Sequence, residues 1–321
     1  MSEMETAKVT MKAWAIDAYG GPDRMQIRRL PVPEPGPGDV LIKMAGAEVG
    51  DWDIMVREGE WPMGRPFPLV LGLAGAGTVA AIGGEVDGFA EGDLVYAYNY
   101  PLYCNGAWAE FMLSPASYVA RAPASLDLTR AGGVPIVGLT AHETLTDLLA
   151  VQRGDVVLIT AAAGGVGHLA VQIASRLGAH VVATAGRRNL DFVRALGAET
   201  VIDYTAEDVV TAIRAHYPDG IDKALNGVAG EEANRVARTL RKGGRMVDLT
   251  GSVSEVPRDV RVDREYVVRA DGNRLSRVAR MIDDGWLKAE IQESLPFERA
   301  PDALEVVQAK HVRGMIVLRI A

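Results

Sequence analysis

Cysteine is almost missing from this 321-residue chain, where Cys104 stands alone. A single thiol excludes an intrachain disulfide framework and any zinc site built from several cysteines, and it suits a reducing compartment. Long apolar runs are missing too: nothing approaches the roughly 18 uninterrupted apolar residues of a membrane-spanning helix. The opening stretch, MSEMETAKVT, is mixed in charge and has no apolar core of the kind a secretory signal needs. Nor is there an excess of positive charge. The 34 Lys and Arg stand against 42 Asp and Glu, a net charge of −8, so no overall basic field gathers nucleic acid or an anionic membrane. These absences predict a cytoplasmic protein that binds neither. What remains, 48% hydrophobic and 24% charged residues, is the composition of a globular protein long enough for two domains.

What the chain does have is a strand, a small-residue turn and a helix in immediate succession. The apolar run 156–160 breaks into AAAGGVG over 161–167, and helical spacing follows through Leu169, Ile173 and Leu177. Ala162, Gly164 and Gly167 keep the spacing of the dinucleotide-binding fingerprint, with alanine for the first glycine. Such a turn lets amides at a helix N-terminus close on a pyrophosphate that a Cβ would hold away. Ordinary tight turns share the pattern; between a strand and a helix it points to a nucleotide.

Around this stretch the texture changes once. Up to about residue 120 the chain reads as β-rich, with a strand over 11–19, a stiff proline-rich connection over 31–39, a strand over 40–49 and a helical turn over 51–59. From about residue 126, helices and strands alternate. Helices are expected over 139–149, 167–178, 189–197, 206–217 and 230–244, and strands over 156–160, 180–184, 199–204, 222–228 and 245–251. Alternation implies parallel pairing and a doubly wound α/β sheet. Helices over 274–285 and 299–310 and a strand over 315–320 close the chain.

Nine segments in order, PVPEPGPGDVLIK, GLAGAGTVAAIG, EGDLVYA, GAWAEFMLSP, VGLTAHETL, TAAAGGVGHLAVQIA, RALGAETVIDY, LRKGGRMVDLTG and GMIVLRI, carry a family resemblance. The chain resembles the zinc-independent quinone oxidoreductases, the zeta-crystallin branch of the medium-chain dehydrogenase/reductase superfamily. The resemblance implies a GroES-like β-rich catalytic domain, residues 1–127 with 266–321, and a Rossmann domain with a doubly wound parallel sheet, residues 128–265. It also implies NADPH and a homodimer. Zinc-dependent relatives carry Cys and His-Glu where this chain has Gly50 and Leu73-Ala74, so the three-ligand set of a catalytic zinc is absent and no metal is expected. The zinc-independent branch often has Asn at the Gly50 position.

Several residues bear on the cofactor. An NAD-preferring site closes its second strand on Asp or Glu, whereas this chain has Gly186, Arg187 and Arg188. An arginine fork suits the 2′-phosphate of NADPH, which a carboxylate would repel. Asn226, Gly227, Val228, Thr250 and Gly251 fall beyond strand ends, where ligands of doubly wound sheets lie. Arg313, in the HVRG run, is a further candidate for the 2′-phosphate, although a surface role suits it equally, and the resemblance adds Tyr204 there. It places Thr140, Ala163, Gly164, Gly165, Val166, Gly167 and Thr184 around the dinucleotide.

Hydride transfer without a metal favours an acceptor that spreads its incoming charge through conjugation, a quinone or an α,β-unsaturated carbonyl. Tyr98, Tyr100, Tyr103, Asp51 and Asp53 are the candidate proton donors, with Tyr100 and Asp53 foremost, and these tyrosines with Trp108 suit a flat substrate. Packing explains the same residues without chemistry. His142 reads first as a hydrogen-bonded structural histidine, and His168 as packing in the first helical turn. Two alternatives stand beside quinone reduction: an enoyl-thioester or 2-alkenal reductase, and a non-enzymatic NADPH-binding sensor or scaffold.

Overall fold

Six parallel strands organise the central part of the chain in a computed structural model that describes residues 9–320. Across the sheet they run Thr200–Asp203, His180–Ala185, Val156–Ile159, Ile221–Asn226, Leu240–Asp248 and Arg261–Asp263, and every neighbouring pair is parallel. Val157, Leu158 and Ile159 are fully buried, as expected of a strand covered on both faces. Val156–Ile159 pairs with His180–Ala185 on one side and Ile221–Asn226 on the other. The chain therefore reverses its direction of travel there, which opens a crevice beyond the strand's carboxyl end.

The expected elements are largely in place, with three corrections. The helix expected over 230–244 ends at Ala237, and Leu240 already belongs to a strand. Sheet pairing overrides the helical propensity of RTLRK: Leu240 sits opposite Ile221, the Ile221 amide bonds the Thr239 carbonyl, and Gly243 takes φ 79°. The helix expected from 139 starts at Pro135, where proline's missing N–H costs nothing, and after Glu143 it widens into a π-helical turn, Thr144–Leu148. The first strand stops at Ile16 rather than continuing to 19.

A second, mostly antiparallel sheet runs Ile291–Pro296, Met315–Arg319, Asp39–Val49, Ala74–Ile82, Leu94–Tyr98 and Val119–Arg121, with Phe111–Pro115 also paired to Asp39–Val49. Its first two strands come from the end of the chain, and Ile316 lies opposite Val49. Helix Gly272–Asp283 buries Leu275, Val278, Ala279 and Ile282 along one stripe, and the Tyr96 hydroxyl donates to the Leu275 carbonyl at 2.6 Å. One hydrophobic cluster joins the sheets, from Val40 and Tyr96 through Leu139 to Ile159. Among the described residues no helix is long and apolar enough to cross a membrane.

Candidate functional site

The site begins with a steric necessity. A Cβ on Gly167 would lie 2.3 Å from the Ala161 carbonyl oxygen and 2.8 Å from Ala162 Cα, so only glycine lets helix Gly165–Arg176 start this close to the strand. Ala161 turns the chain with φ 49°, at a cost on the order of 1 kcal/mol for a residue with a side chain. Gly164 caps the helix, and the amides of Gly165, Val166 and Gly167 head it without intrahelical partners. Those N–H groups, at the positive end of the helix dipole, suit a pyrophosphate.

Beside the turn lies a closed polar network. The Thr160 hydroxyl donates to Asn226 Oδ1 at 2.8 Å and accepts from the Gly227 amide at 2.9 Å. Asn226 Nδ2 donates to the Val228 carbonyl (2.7 Å) and to Asp248 Oδ1 (2.9 Å). Asp248 also takes the Thr250 amide and hydroxyl and the Val253 amide. Asn226, Gly227, Val228, Thr250 and Gly251 are thereby drawn to one rim. Thr184 belongs to the same floor, its carbonyl accepting the Ala162 amide at 3.1 Å.

At the other edge, Gly186, Arg187, Arg188 and Tyr204 come together. The Tyr204 hydroxyl lies 3.2 Å from where a Gly186 Cβ would be, and the ring is 53% exposed, free to meet a ligand. Asp203, unremarked in the sequence, accepts from Arg187 Nε at 3.5 Å. Arg313 bonds the Asn189 side chain at 2.9 Å and the Arg188 carbonyl at 3.1 Å, and Arg188 bonds the His311 carbonyl at 2.9 Å. Arg313 thus sits in this basic cluster while also bracing it.

The returning end of the chain is fastened to the turn itself. The Gly314 amide donates to the Ala163 carbonyl at 2.7 Å. His168 Nδ1 donates to the Gly164 carbonyl at 2.9 Å, and Nε2 accepts the Glu290 amide at 3.1 Å. Those two bonds require one neutral tautomer, and burial pushes the imidazole down to about 4. His142 is likewise a structural histidine, accepting from Arg274 at 2.9 Å and lowered by burial and by that guanidinium.

An aromatic group lies in the antiparallel-sheet part of the chain. Trp61 Nε1 donates to the Tyr100 hydroxyl at 3.3 Å with ring centroids 4.6 Å apart, and Tyr98 stacks behind Tyr100. Tyr266, which sequence reasoning passed over, donates to Glu143 Oε2 at 2.9 Å beside Thr140. Burial holds its phenol, like that of Tyr98, protonated well above the usual range. Trp108, expected near a substrate, is instead fully buried and bonds the Glu48 carbonyl at 3.0 Å. Tyr103 points away to Asp39.

Asp53 is fully buried in the first turn of helix Asp51–Glu58. Its Oδ2 takes the Gly50 amide at 2.9 Å, and burial pushes the carboxyl up to about 8. Glu48 stands next to it, its Oε2 on the Ile136 amide at 3.0 Å and its pKa raised well above the carboxylate range by burial. The signal for Glu48 was visible: a lone acid inside the apolar run VLIKMAGAEV. At the positions where zinc-dependent relatives place ligands stand Gly50, Leu73 and Ala74, and among the described residues no three His, Cys, Asp or Glu side chains are grouped to hold a metal.

Comparisons with known proteins agree with this geometry. Two family descriptions match, an alcohol dehydrogenase GroES-like domain over residues 36–124 and a zinc-binding dehydrogenase over 196–318. A chloroplastic NADPH-dependent alkenal/one oxidoreductase of Arabidopsis thaliana is 32% identical, over 96% of this chain and 79% of its own length. The chloroplastic quinone-oxidoreductase QR1 of Triphysaria versicolor is 30% identical over 96% of this chain and 98% of its own. The solved quinone oxidoreductase of Coxiella burnetii superposes with a TM-score of 0.87 at 28% identity, covering 98% of this chain and 100% of that one. With parallel and antiparallel sheets joined in this way, a glycine turn that suits a dinucleotide and relatives matched over 96% or more of this chain, the chain belongs to the zinc-independent quinone oxidoreductase branch of the medium-chain dehydrogenase/reductase superfamily.

Proposed function

We propose that this protein is an NADPH-dependent reductase of quinones and other conjugated carbonyls. The observation that carries the reading is the Gly167 contact, a turn closed to any Cβ and headed by three helix amides, in a chain with apolar residues at two of the positions where zinc-dependent relatives place ligands. These residues fit a dinucleotide. Gly165, Val166 and Gly167 would hold the pyrophosphate, and Arg187, Arg188, Tyr204 and Arg313 the 2′-phosphate. When bound, the cofactor would supply a hydride and be oxidised to NADP+, and the proton that balances the acceptor would come from a tyrosine hydroxyl, Tyr100 foremost, or from water. Tyr100, bonded to Trp61, walls the acceptor's space. The test is NADPH oxidation, with NADH as control, across a panel of benzoquinones, naphthoquinones, cyclic enones and 2-alkenals. Consumption with conjugated acceptors and none with saturated ketones supports the reading; no consumption with any acceptor sinks it.

A second reading, in which 2-alkenals are the preferred acceptors, is favoured by the alkenal/one oxidoreductase among the relatives. The ratio of kcat/KM for a 2-alkenal to that for a quinone decides between the two. We further propose a cytoplasmic homodimer, with residues 1–127 and 266–321 as the catalytic domain and 128–265 as the Rossmann domain. Strand Arg261–Asp263 has an open edge. A second copy related by a two-fold axis at Val262 would set each Arg261 opposite an Asp263, an arrangement that favours antiparallel pairing. Sedimentation of Val262→Pro as a monomer, beside a dimeric wild type, is the expected outcome.

A further inference from the structure

Among the described residues, three buried side-chain polar atoms have no hydrogen-bond partner: Glu48 Oε1, Trp52 Nε1 and Asp53 Oδ1. All three fall in the segment 48–53. An unpaired buried polar group costs roughly 1–3 kcal/mol, and nothing about the fold requires this concentration in one place. The segment also adjoins the dinucleotide turn. Val49 lies opposite Ile316, whose neighbour two residues earlier, Gly314, is bonded to Ala163. Glu48 holds the amide of Ile136, and Val137 Cγ1 lies 3.0 Å from where a Gly165 Cβ would be.

Gly50 explains the position of the indole. A Cβ there would meet the Trp52 ring at 2.2–2.4 Å, with Cε2, the carbon bonded to Nε1, among the atoms struck. A side chain at 50 and the ring of Trp52 exclude each other, so the indole fills the volume that a residue-50 side chain would occupy. Its N–H can only donate. The adjoining carboxyls do not accept from it. Each spends one oxygen on a backbone amide, and the other oxygen of each has no partner. The indole N–H is therefore a buried donor that nothing in the protein satisfies.

We propose that the Trp52 indole N–H is the hydrogen-bond donor that orients the acceptor's carbonyl oxygen and stabilises the negative charge it gains on reduction. The role rests on the reductase reading above and names a group within that site. A fixed donor aimed at a developing oxyanion lowers the barrier without reorganising. An indole does not titrate, so its contribution does not vary with pH. The ligand chemistry it selects is a planar carbonyl oxygen beside a flat conjugated system.

The test has two arms. In the first, the Trp52 indole 1H–15N signal, assigned by its loss in Trp52→Phe, is followed in protein saturated with NADP+ while cyclohexanone or methylcyclohexane is added. Cyclohexanone should move it downfield and methylcyclohexane should leave it in place; no movement with either, or equal movement with both, overturns the proposal. In the second, Trp52→Phe should lower kcat with 2-cyclohexenone by roughly 10- to 100-fold, with the dissociation constant for NADPH within about twofold of wild type. Gly50→Asn combined with Trp52→Ala, which returns an amide to the vacated volume, should recover about tenfold. Wild-type turnover by Trp52→Phe overturns the role. If the wild type oxidises NADPH with no conjugated acceptor, the reductase reading fails by itself and the first arm alone decides the fate of Trp52.

Discussion

Two polar regions flank the glycine turn, and they are built on opposite terms. At the strand ends, Thr160, Asn226 and Asp248 are buried and each is bonded to the others or to backbone. In the segment 48–53, Glu48, Trp52 and Asp53 each keep one buried polar atom unpaired. The first region spends its hydrogen bonds on holding the rim in shape; the second keeps its own for a visitor. Rigidity and reactivity are thus separated by position along the same cleft.

The comparison can be broken most severely at the turn both regions share. Gly167→Val should reduce NADPH affinity by more than about 100-fold and destabilise the fold by roughly 3 kcal/mol, seen in fluorescence titration and thermal melts; a variant with normal binding would show that the close approach is dispensable. Next, Asn226→Leu strands Asp248 and Thr160 and should cost about 3 kcal/mol. Trp52→Phe removes a group that has no partner and should cost nothing or stabilise slightly. Equal losses in denaturant unfolding would erase the distinction between the regions.

A smaller effect separates the cofactors. Arg187→Ala with Arg188→Ala should weaken NADPH about 10- to 100-fold and leave NADH nearly unchanged, measured by titration; parallel losses would show that these side chains do not read the phosphate. The smallest is a matter of pH. Asp53 holds its proton to about 8 when folded against an ordinary 3.8, so the folded state binds the extra proton and stability falls as pH rises from about 4 to 8. His168 is lowered from 6.5 to about 4, so the unfolded chain binds the extra proton and stability falls as pH drops from 6.5 toward 4. Between pH 4 and 6.5 these two slopes oppose each other, and Glu48, also raised by burial, adds to the decline at higher pH. Asp53→Asn should therefore make the decline above pH 6.5 shallower and unmask the acid-side decline from His168, in melts from pH 4 to 8.

Much of this was legible in the sequence because it rests on local rules. Alternating helices and strands, and a glycine turn between Ile159 and Leu169, follow from periodicity and steric access over a few residues. The end of helix Glu231–Ala237 was not legible, since the pairing of Leu240 with Ile221 is made across the sheet. The role of Trp108 was hidden for the same reason; its indole partner, Glu48, is 60 residues away. In the sequence Gly50 read only as a departure from the Asn common in the family. In the structure it is the condition for Trp52, and two residues of spacing alone do not reveal that one ring fills its neighbour's place.

The way the turn disposes of its carbonyls narrows what it will accept. Ala161's oxygen is taken by the Gly164 amide, Ala163's by Gly314, and Gly164's by the amide and ring of His168. With those oxygens engaged inside the protein, the loop offers hydrogen and almost no lone pairs to an approaching molecule. A cationic or protonated guest finds nothing to grip, and an oxyanion finds an unmixed electropositive lip.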